Sequence, residues 1–361
     1  MRLLFITVRS DFGGGPRHVN QLINGLSKQY SIFMAYPEEG EPYAKIWDEN
    51  RQIVDRIFIP HRKITIHHLL KLRRFIKLHH IDVIHSHGNG AGFYSRMLKI
   101  LYPKVKVIHT FHGISDSYQS PWKNRVGLLV GRFLAPLGDI YICVSNGEKE
   151  KALERKFSHD RNTQVIYNGI PSIMGGQERN NQCCPLKIVT LSRFDYQKNM
   201  DSMYKIAKHW IGSDKVIFIW VGDGEDRARL EMMANKERVP ISFVGFSKEP
   251  MKYLKNSDLY LSTSRFEGLP YALIEAASVG LPIIASDVTG NNEVVNNGYN
   301  GYLFEKEDDA VNLIDRIINR EIDYSLLSQN SINYFKEKFT ERKMLDSIIK
   351  LYKGCMEVSK S

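Results

Sequence analysis

Short apolar runs alternate with amphipathic segments along almost the whole chain, and this alternation constrains the fold more than any other feature. In the first half, the apolar runs predict strands at 2–8, 31–36, 56–59, 81–86, 105–111, 139–144 and 164–167. The amphipathic segments predict helices at 15–28, 64–79, 90–101, 121–135 and 146–157. Strands that alternate with helices are typical of βαβ units, so the first half predicts a doubly wound parallel sheet.

The same alternation begins again at residue 186. Its predicted strands are 186–191, 215–221, 241–244, 258–263, 282–285 and 301–304. Its predicted helices are 199–210, 225–236, 249–255, 270–279, 290–296 and 307–319, and residues 324–358 have a helical pattern throughout. Residues 171–185 are polar and aperiodic and contain Gly and Pro, which predicts a linker. We therefore predict an α/β chain with Rossmann-like domains at 1–170 and 186–339.

Composition supports two ordinary globular domains. The chain has 361 residues, of which 43% are hydrophobic and 25% charged, enough for two cores. Its apolar runs are too short for a transmembrane helix. The four cysteines show neither metal-ligand spacing nor a disulfide framework, so a reducing cytoplasm is the expected location.

Positive charge is concentrated in the first half. Residues 1–172 carry 25 Lys and Arg against 14 Asp and Glu, whereas the remainder carries 25 against 26, for a net charge of +10. A basic domain indicates an acidic partner, which is a nucleic acid, a phosphorylated substrate or an anionic membrane. No zinc-finger, RNP or basic-zipper pattern accompanies the charge, so we expect no nucleic acid.

The segment 258–280 predicts an anion-binding site. An apolar strand ends near Thr263, a glycine-containing turn follows, and Pro270 suits the first position of the next helix. Free amides and the helix dipole favour an anion there. Glu267 in the turn and Glu275 in the helix add two carboxylates that accept hydrogen bonds from sugar hydroxyls. Together these features indicate a nucleotide-sugar pocket, whereas a plain surface loop is the simpler alternative.

The segment Glu267-Gly-Leu-Pro-Tyr-Ala-Leu-Ile-Glu275-Ala resembles the E-x7-E signature of family 4 retaining glycosyltransferases. The resemblance extends over nearly the full length. It implies a GT-B fold, in which two Rossmann-like domains face each other across a cleft and the last helix, at about 340–361, packs back on the N-terminal domain. It also implies that Glu267 meets the donor sugar, as a stabiliser of the transition state rather than a proven nucleophile, and that Glu275 meets the ribose. The motif residues Gly268, Leu269 and Pro270 are expected to bind substrate.

Two further motifs, one in each half of the chain, match the family. Arg193 and Lys198 correspond to the Arg and Lys that hold the donor diphosphate, where two cations would stabilise the leaving group. Gly14 and Gly15 lie in a loop resembling the family's N-terminal glycine loop, although Arg17-His18 replaces an acidic residue; such glycines allow backbone amides to approach a diphosphate. We expect no metal, because no Asp-x-Asp pair ends a strand. A plain turn and an exposed basic loop are the structural alternatives.

Histidines mark two predicted strand ends of the first domain. His112 in Thr-Phe-His-Gly matches the family's Thr-x-His-Gly and is expected near the transferred sugar. His109 is interpreted as a structural residue within the strand. His85 and His87 are either structural or zinc ligands, and a zinc site would need a third ligand that the sequence does not identify.

The segment 61–80 is the most basic of the chain. Leu69, Leu72, Phe75 and Ile76 share one helical face, and Lys71, Arg73, Arg74 and Lys77 surround it. The helix either packs on the sheet with a solvated basic face or contacts the inner leaflet of a membrane, at about 1 kcal/mol per basic residue. A second candidate for membrane contact comprises Trp122, Lys123, Arg125, Leu128, Leu129, Arg132 and Phe133.

These observations and the resemblance together predict a cytoplasmic retaining hexosyltransferase, peripheral on the membrane if the basic surface binds lipid. The expected donor is a UDP-sugar, and the expected acceptor is a lipid-linked glycan or an oligosaccharide in bacterial surface-polysaccharide synthesis. Two alternatives stay open. One is a nucleotide-sugar epimerase of the same architecture, and the other is a non-catalytic sugar-nucleotide binding protein.

Overall fold

The computed structural model describes residues 1–114, 121–172 and 185–357. These residues form two compact units. The first contains Met1–Asn168 and the helix that begins at Glu341, and the second lies within Gly169–Thr340. Each unit has one parallel sheet with helices packed on it.

The sheet of the first unit has seven strands in the order β3-β2-β1-β4-β5-β6-β7. They are β1 Arg2–Thr7, β2 Ser31–Tyr36, β3 Ile53–Phe58, β4 Val83–His87, β5 Lys106–Thr110, β6 Ile140–Cys143 and β7 Thr163–Val165. Its helices are α1 Gly14–Leu26, α2 Tyr43–Glu49, α3 Ile66–Leu78, α4 Asn89–Leu101, α5 Pro121–Leu134 and α6 Asn146–Glu154. The central strands are buried on both faces, which explains their continuous apolar sequences.

The sheet of the second unit has six strands in the order β10-β9-β8-β11-β12-β13. They are β8 Leu186–Leu191, β9 Val216–Val221, β10 Ile241–Gly245, β11 Leu259–Ser262, β12 Ile283–Ser286 and β13 Gly301–Phe304. The helices are α7 Met200–Lys208, α8 Arg227–Glu237, α9 Pro250–Lys255, α10 Tyr271–Ser278, α11 Asn291–Val294, α12 Glu307–Ile318 and α13 Tyr324–Lys338. Both sheets confirm the predicted doubly wound α/β class.

The last helix, α14 Glu341–Glu357, belongs to the core of the first unit. Met344, Ile348 and Leu351 are buried with residues of α1 and the sheet. The Tyr352 hydroxyl forms a 2.6 Å hydrogen bond with Nδ1 of His85, at a fully buried position. This contact fixes the helix against the centre of the sheet. Among the residues that the structure describes, none of the helices combines the length and apolar character needed to cross a bilayer.

The structure differs from the sequence predictions at three places. Helix α2 was not predicted, because it is only seven residues long and buries just Ala44 and Trp47. The helical pattern at 324–358 is interrupted at Phe339, whose carbonyl accepts a 3.0 Å hydrogen bond from the Ile170 amide. Pro270 precedes the first turn of α10 in an extended conformation, as its N-cap, instead of occupying the first helical position.

Candidate active site

The loop between β11 and α10 carries the two signature glutamates. Strand β11 is fully buried and ends at Ser262, and the chain crosses the edge of the sheet before α10 begins at Tyr271. Glu267 lies in this loop and is only 9% exposed, and Glu275, within α10, is 8% exposed. Carboxylates are rarely this buried without compensating contacts, so their surroundings determine what they can do.

Lys198 supplies the opposite charge for Glu267. Its Nζ lies 2.6 Å from Oε1 of Glu267, and both side chains are largely buried. Gln197 donates from Nε2 to the other carboxylate oxygen of Glu267 over 3.2 Å. The Thr263 hydroxyl donates to the Lys198 carbonyl over 3.0 Å, which holds this segment against the end of β11. Both oxygens of the Glu267 carboxylate are therefore engaged.

Arg193 reaches the same loop but has a different partner. Its Nη2 lies 2.9 Å from Oδ2 of Asp195, and its side chain is about half exposed. The same Nη2 donates to Oε1 of Gln197 over 3.2 Å. Gln197 therefore links Arg193 to Glu267, and the structure brings the two predicted cations into one hydrogen-bonded loop. The exposed guanidinium remains accessible to an anionic ligand.

Tyr260 lies close enough to both glutamates to be affected by their charges. Burial raises the pKa of its phenol, and the carboxylates of Glu275 and Glu267 raise that pKa further. The hydroxyl of Tyr260 donates to the Leu191 carbonyl over 3.1 Å and accepts from the Leu191 amide over 3.2 Å. The charges of both glutamates therefore act on one buried phenol, which is hydrogen-bonded to the end of β8.

Gly290 was not identified from the sequence, although it supports the Glu267 loop. Its φ of 87° lies in the left-handed region. A Cβ at this position would lie 2.4 Å from the Gly268 carbonyl oxygen and 3.2 Å from Cβ of Glu267. Only glycine fits such an approach, since both the conformation and the space exclude a side chain. A glycine that follows a strand end was the available signal.

His112 is held in an unusual backbone conformation at the sheet edge of the first unit. Its φ is 68°, and Gly113 follows with a φ of 106°. Left-handed conformations are uncommon outside glycine, although His adopts them more often than most residues, and they concentrate at functional sites. A Cβ on Gly15 would lie 3.9 Å from Cδ2 of His112. The structure therefore brings the glycine loop, where α1 begins at Gly14, next to His112.

The histidines of β4 have separate environments. His85 is structural: besides its contact with Tyr352, its Nε2 lies 2.8 Å from the Thr110 hydroxyl. His87 instead pairs with His112, with 3.0 Å between His87 Nδ1 and His112 Nε2. His18 of α1 adds a third ring, whose centroid is 4.8 Å from that of His112. These rings could act as metal ligands. The sequence analysis paired His87 with His85 instead and placed neither His18 nor His112 beside it.

Burial keeps all three of these rings neutral. It lowers the pKa of His18 to about 4, and it holds the pKa values of His87 and His112 well below their usual range. The first cause is the cost of desolvating a charged imidazolium, and for His87 and the partly exposed His112 the charges of neighbouring histidines add to it. Each ring therefore offers one N–H donor and one lone pair near neutral pH. His109, a buried histidine within β5, contacts the Ser86 hydroxyl at 3.0 Å and is structural.

Family models match both halves of the chain. Residues 12–172 match Glycosyltransferase Family 4, and residues 179–337 match Glycosyl transferases group 1. Over 355 residues the chain is 28% identical to the UDP-Gal:alpha-D-GlcNAc-diphosphoundecaprenol alpha-1,3-galactosyltransferase of Escherichia coli, covering 90% of this chain and 89% of that protein. It is 27% identical to the O-antigen biosynthesis glycosyltransferase WbnH of the same species, covering 87% and 89%.

Solved structures show the same architecture. Anabaena HepE, crystallised in complex with UDP, has a TM-score of 0.81 at 16% identity and covers 98% of this chain and 100% of its own. Sucrose-phosphate synthase of Thermosynechococcus elongatus has a TM-score of 0.82 at 19% identity and covers 99% of both chains. At these identities the likeness concerns the fold alone, and it confirms the expected GT-B architecture.

Proposed function

The chain belongs to the family 4, group 1 glycosyltransferases, and from this membership we propose that it transfers a hexose from a UDP-sugar to a lipid-linked glycan with retention of configuration. UDP-galactose is the first donor to test. The enzyme class follows from the family and favours the transferase over the epimerase and the non-catalytic binding protein. The nucleotide, sugar and acceptor are the proposed part.

The contact between Lys198 and Glu267 is the main observation that supports the proposal. It places a buried carboxylate and a cation at one point beside the exposed guanidinium of Arg193. When the bond from the sugar C1 to the diphosphate oxygen breaks, negative charge develops on the diphosphate. Two fixed cations stabilise that charge most strongly where water is excluded. This loop is therefore suited to the departure of a nucleoside diphosphate.

Glu267 is assigned to positioning the donor sugar. Each of its two oxygens accepts one hydrogen bond, from Lys198 or Gln197, and these bonds lower the nucleophilicity of the carboxylate but leave it able to accept a sugar hydroxyl. This arrangement supports same-face transfer, in which the acceptor oxygen bonds to C1 and its proton passes to the leaving phosphate. Glu275, which is buried and whose charge raises the pKa of Tyr260, is assigned to the ribose hydroxyls. Gly268, Leu269 and Pro270 shape the loop between them.

His112 is assigned to a hydroxyl of the transferred sugar. Its neutral ring can accept a hydroxyl hydrogen or donate its own, and the left-handed backbone fixes its direction. Gly14 and Gly15 allow the backbone of the neighbouring loop to approach the ligand closely, because no Cβ intervenes.

Two considerations support the donor and the acceptor. The E. coli relative is named for transfer from UDP-Gal to a diphosphoundecaprenol-linked sugar, and HepE binds UDP. The first half of this chain is also strongly basic, whereas the second is close to neutral. A diphosphate on the acceptor accounts for this asymmetry. A role in bacterial surface-polysaccharide synthesis follows from these proposals.

The test is a transfer assay with UDP-, GDP- and ADP-hexoses and a synthetic GlcNAc-diphospho-lipid acceptor, read by mass spectrometry. We expect one hexose added from a UDP-sugar, in EDTA as well as in Mg²⁺. Donor incubated without acceptor is the control for epimerisation. Transfer from a GDP- or ADP-sugar, or loss of transfer in EDTA that Mg²⁺ or Mn²⁺ restores, would contradict the proposal.

Membrane contact is proposed for α5 more than for α3. The apolar face of α3 is already buried on the sheet through Leu72 and Ile76, which leaves a solvated basic face. In α5 the exposed apolar residues share one helical face, and they are Trp122, Val126, Leu129, Val130 and Phe133. Phe133 is 76% exposed and Trp122 64%. Burying each such side chain in lipid contributes about 1.5–3 kcal/mol.

Liposome sedimentation separates the two helices. Leu129→Asp with Phe133→Asp should abolish binding to vesicles that contain anionic lipid, in low and high salt alike. Reversing Lys71, Arg74 and Lys77 to Glu should weaken binding only at low salt, since about 1 M salt already screens those charges. Unchanged binding by the α5 variant would contradict the proposed contact.

A further inference from the structure

Three histidines converge at the edge of the first sheet. His87 ends β4, His112 follows β5, and His18 lies in the second turn of α1. Strands β1, β4 and β5 are neighbours, and Thr7 and Thr110 flank His87 in register. Because the carboxyl ends of parallel strands meet at one edge, three residues distant in sequence share one site. Each histidine contributes one ring nitrogen to the cluster, and these three nitrogens all lie within 4.8 Å of one another.

The chemistry of the cluster is that of a transition-metal site. A metal ligand must present a lone pair, and the lowered pKa values of these imidazoles favour the neutral form that binds a metal. Three imidazoles favour Zn²⁺, Cu²⁺ or Ni²⁺ over Mg²⁺ or Ca²⁺, which prefer oxygen. Three histidines with one further position open are also a common zinc arrangement.

The distances allow such a site after a small contraction. With Zn–N bonds of about 2.0 Å, tetrahedral ligand nitrogens lie about 3.3 Å apart. The nitrogens of His87 and His112 already lie 3.0 Å apart, and the proton that they share would move to the other nitrogen of its ring when both bind the metal. The longest nitrogen–nitrogen distance in the cluster, at most 4.8 Å, must shorten by up to about 1.5 Å. Rotation of the side chains can supply this change.

One further residue, Asn168, lies next to this histidine cluster. The Asn168 side chain lies beside the His18 ring and raises its pKa, and we infer that it orients the ring when a metal is bound. Metal-bound histidines almost always have such a partner, which fixes the ring and its tautomer. Asn168 lies just beyond β7 in the first unit, so the partner belongs to the same folded body as the three rings.

We propose that His18, His87 and His112 bind one divalent transition metal, with Zn²⁺ as the probe, and that the bound metal inhibits sugar transfer. The inhibition rests on the proposed function, because it assumes that His112 contacts the transferred sugar. Coordination would occupy the lone pair with which His112 accepts a sugar hydroxyl and would restrict its ring. The proposal that the three histidines bind a metal does not depend on that assumption.

Binding is tested first, and independently of activity. The full-length protein, treated with EDTA and dialysed, is titrated with Co²⁺ for visible d–d bands and with Zn²⁺ by calorimetry. We expect one site per chain. His87→Gln and His18→Gln should each weaken binding at least about 10-fold, and the exposed His67→Gln variant should bind like the wild type. Equal binding by wild type and the two cluster variants would overturn the site.

Asn168→Ala provides a second variant in case a cluster variant misfolds, since it keeps all three ligands. We expect weaker Co²⁺ affinity, by about 10–100-fold, with an unchanged circular dichroism spectrum. Unchanged affinity together with an unchanged spectrum would count against the assigned geometry.

Inhibition is tested second. Zn²⁺ at saturating concentration should abolish transfer by the wild type, and EDTA should restore it. His18→Gln, normalised to its own zinc-free rate, should resist Zn²⁺. Equal inhibition of this variant would show that zinc acts on the donor or elsewhere, and would overturn the inhibitory role. Zinc binding without any effect on transfer would overturn that role and also remove His112 from the sugar site.

Discussion

The Lys198 ammonium lies 2.6 Å from the Glu267 carboxylate, although the residues are separated by 69 positions in the sequence. The contact joins the loop after β8 to the loop after β11, which are adjacent strands. In the proposed function, both the leaving diphosphate and Glu267 compete for this ammonium. Donor binding is therefore expected to loosen the ion pair and to free Glu267 for the sugar.

Lys198→Met should lose transfer and also lose stability. We expect transfer to fall by about 10²–10³-fold, because one cation no longer stabilises the leaving group. The free energy of unfolding should fall by about 3 kcal/mol, since a buried carboxylate loses its ion-pair partner, although Gln197 still donates to it. Transfer assays and urea denaturation measure the two effects.

Arg193→Met is the matched control for stability. Its ion pair with Asp195 is half exposed, and such pairs contribute about 0–1 kcal/mol. Transfer should fall as in Lys198→Met, whereas the free energy of unfolding should stay within about 1 kcal/mol of wild type. Full transfer activity in either variant would remove that residue from the diphosphate site.

Calorimetry with UDP should distinguish the roles of the two signature glutamates. Glu275→Ala should weaken UDP binding, because Glu275 is assigned to the ribose. Glu267→Ala should bind UDP almost as well as the wild type and yet lose transfer, because Glu267 is assigned to the sugar. The reverse pattern would mean that the two assignments are exchanged.

Most of the fold could be predicted because parallel strands buried on both faces leave continuous apolar runs in the sequence. Both sheets and most helices follow from this pattern. Helix α2 could not be predicted in the same way, since two buried residues do not establish a helical period. The interruption at Phe339 depends on a backbone contact with Ile170, which local propensity does not encode.

Within the candidate site, only the residues that lie in recognisable sequence motifs could be predicted. Glu267, Lys198 and His112 follow from their motifs and their places after strands. His18 is a polar residue on the buried face of α1, beside Val19 and Leu22, and its partners become visible only when β4 and β5 are adjacent. The role of Gly290 likewise depends on a carbonyl of another loop.

The free energy of unfolding should decrease as pH falls, because buried histidines resist protonation in the folded protein. Replacing His109 measures the contribution of one of them. Burial holds the pKa of His109 well below its usual range. Below about pH 6.5 the unfolded chain binds a proton there that the folded chain excludes, so the free energy of unfolding falls as pH falls. The contribution of one such histidine is at most about 1.4 kcal/mol per pH unit.

Urea denaturation at about pH 7 and about pH 5 measures this slope. His109→Gln should reduce it, because glutamine does not titrate, whereas the exposed His67→Gln variant should retain the wild-type slope. An unchanged slope in His109→Gln would show that this ring is protonated in the folded protein.

Gly290→Ala should impair transfer through the Glu267 loop, and Gly298→Ala is its control. Both glycines have positive φ values, 87° and 78°, so alanine should cost each variant about 1 kcal/mol of stability. Only at Gly290 would the new Cβ also meet a backbone oxygen, that of Gly268 at 2.4 Å; around Gly298 nothing lies within 4 Å. The Gly268 carbonyl cannot move without shifting Glu267, and a misplacement of about 1 Å reduces transfer by about 10²-fold. The clash adds to the conformational cost, so we expect Gly290→Ala to be less stable than Gly298→Ala. Under conditions in which both variants remain folded, we expect a loss of transfer in Gly290→Ala alone, and equal transfer rates would show that the Glu267 loop does not depend on this approach.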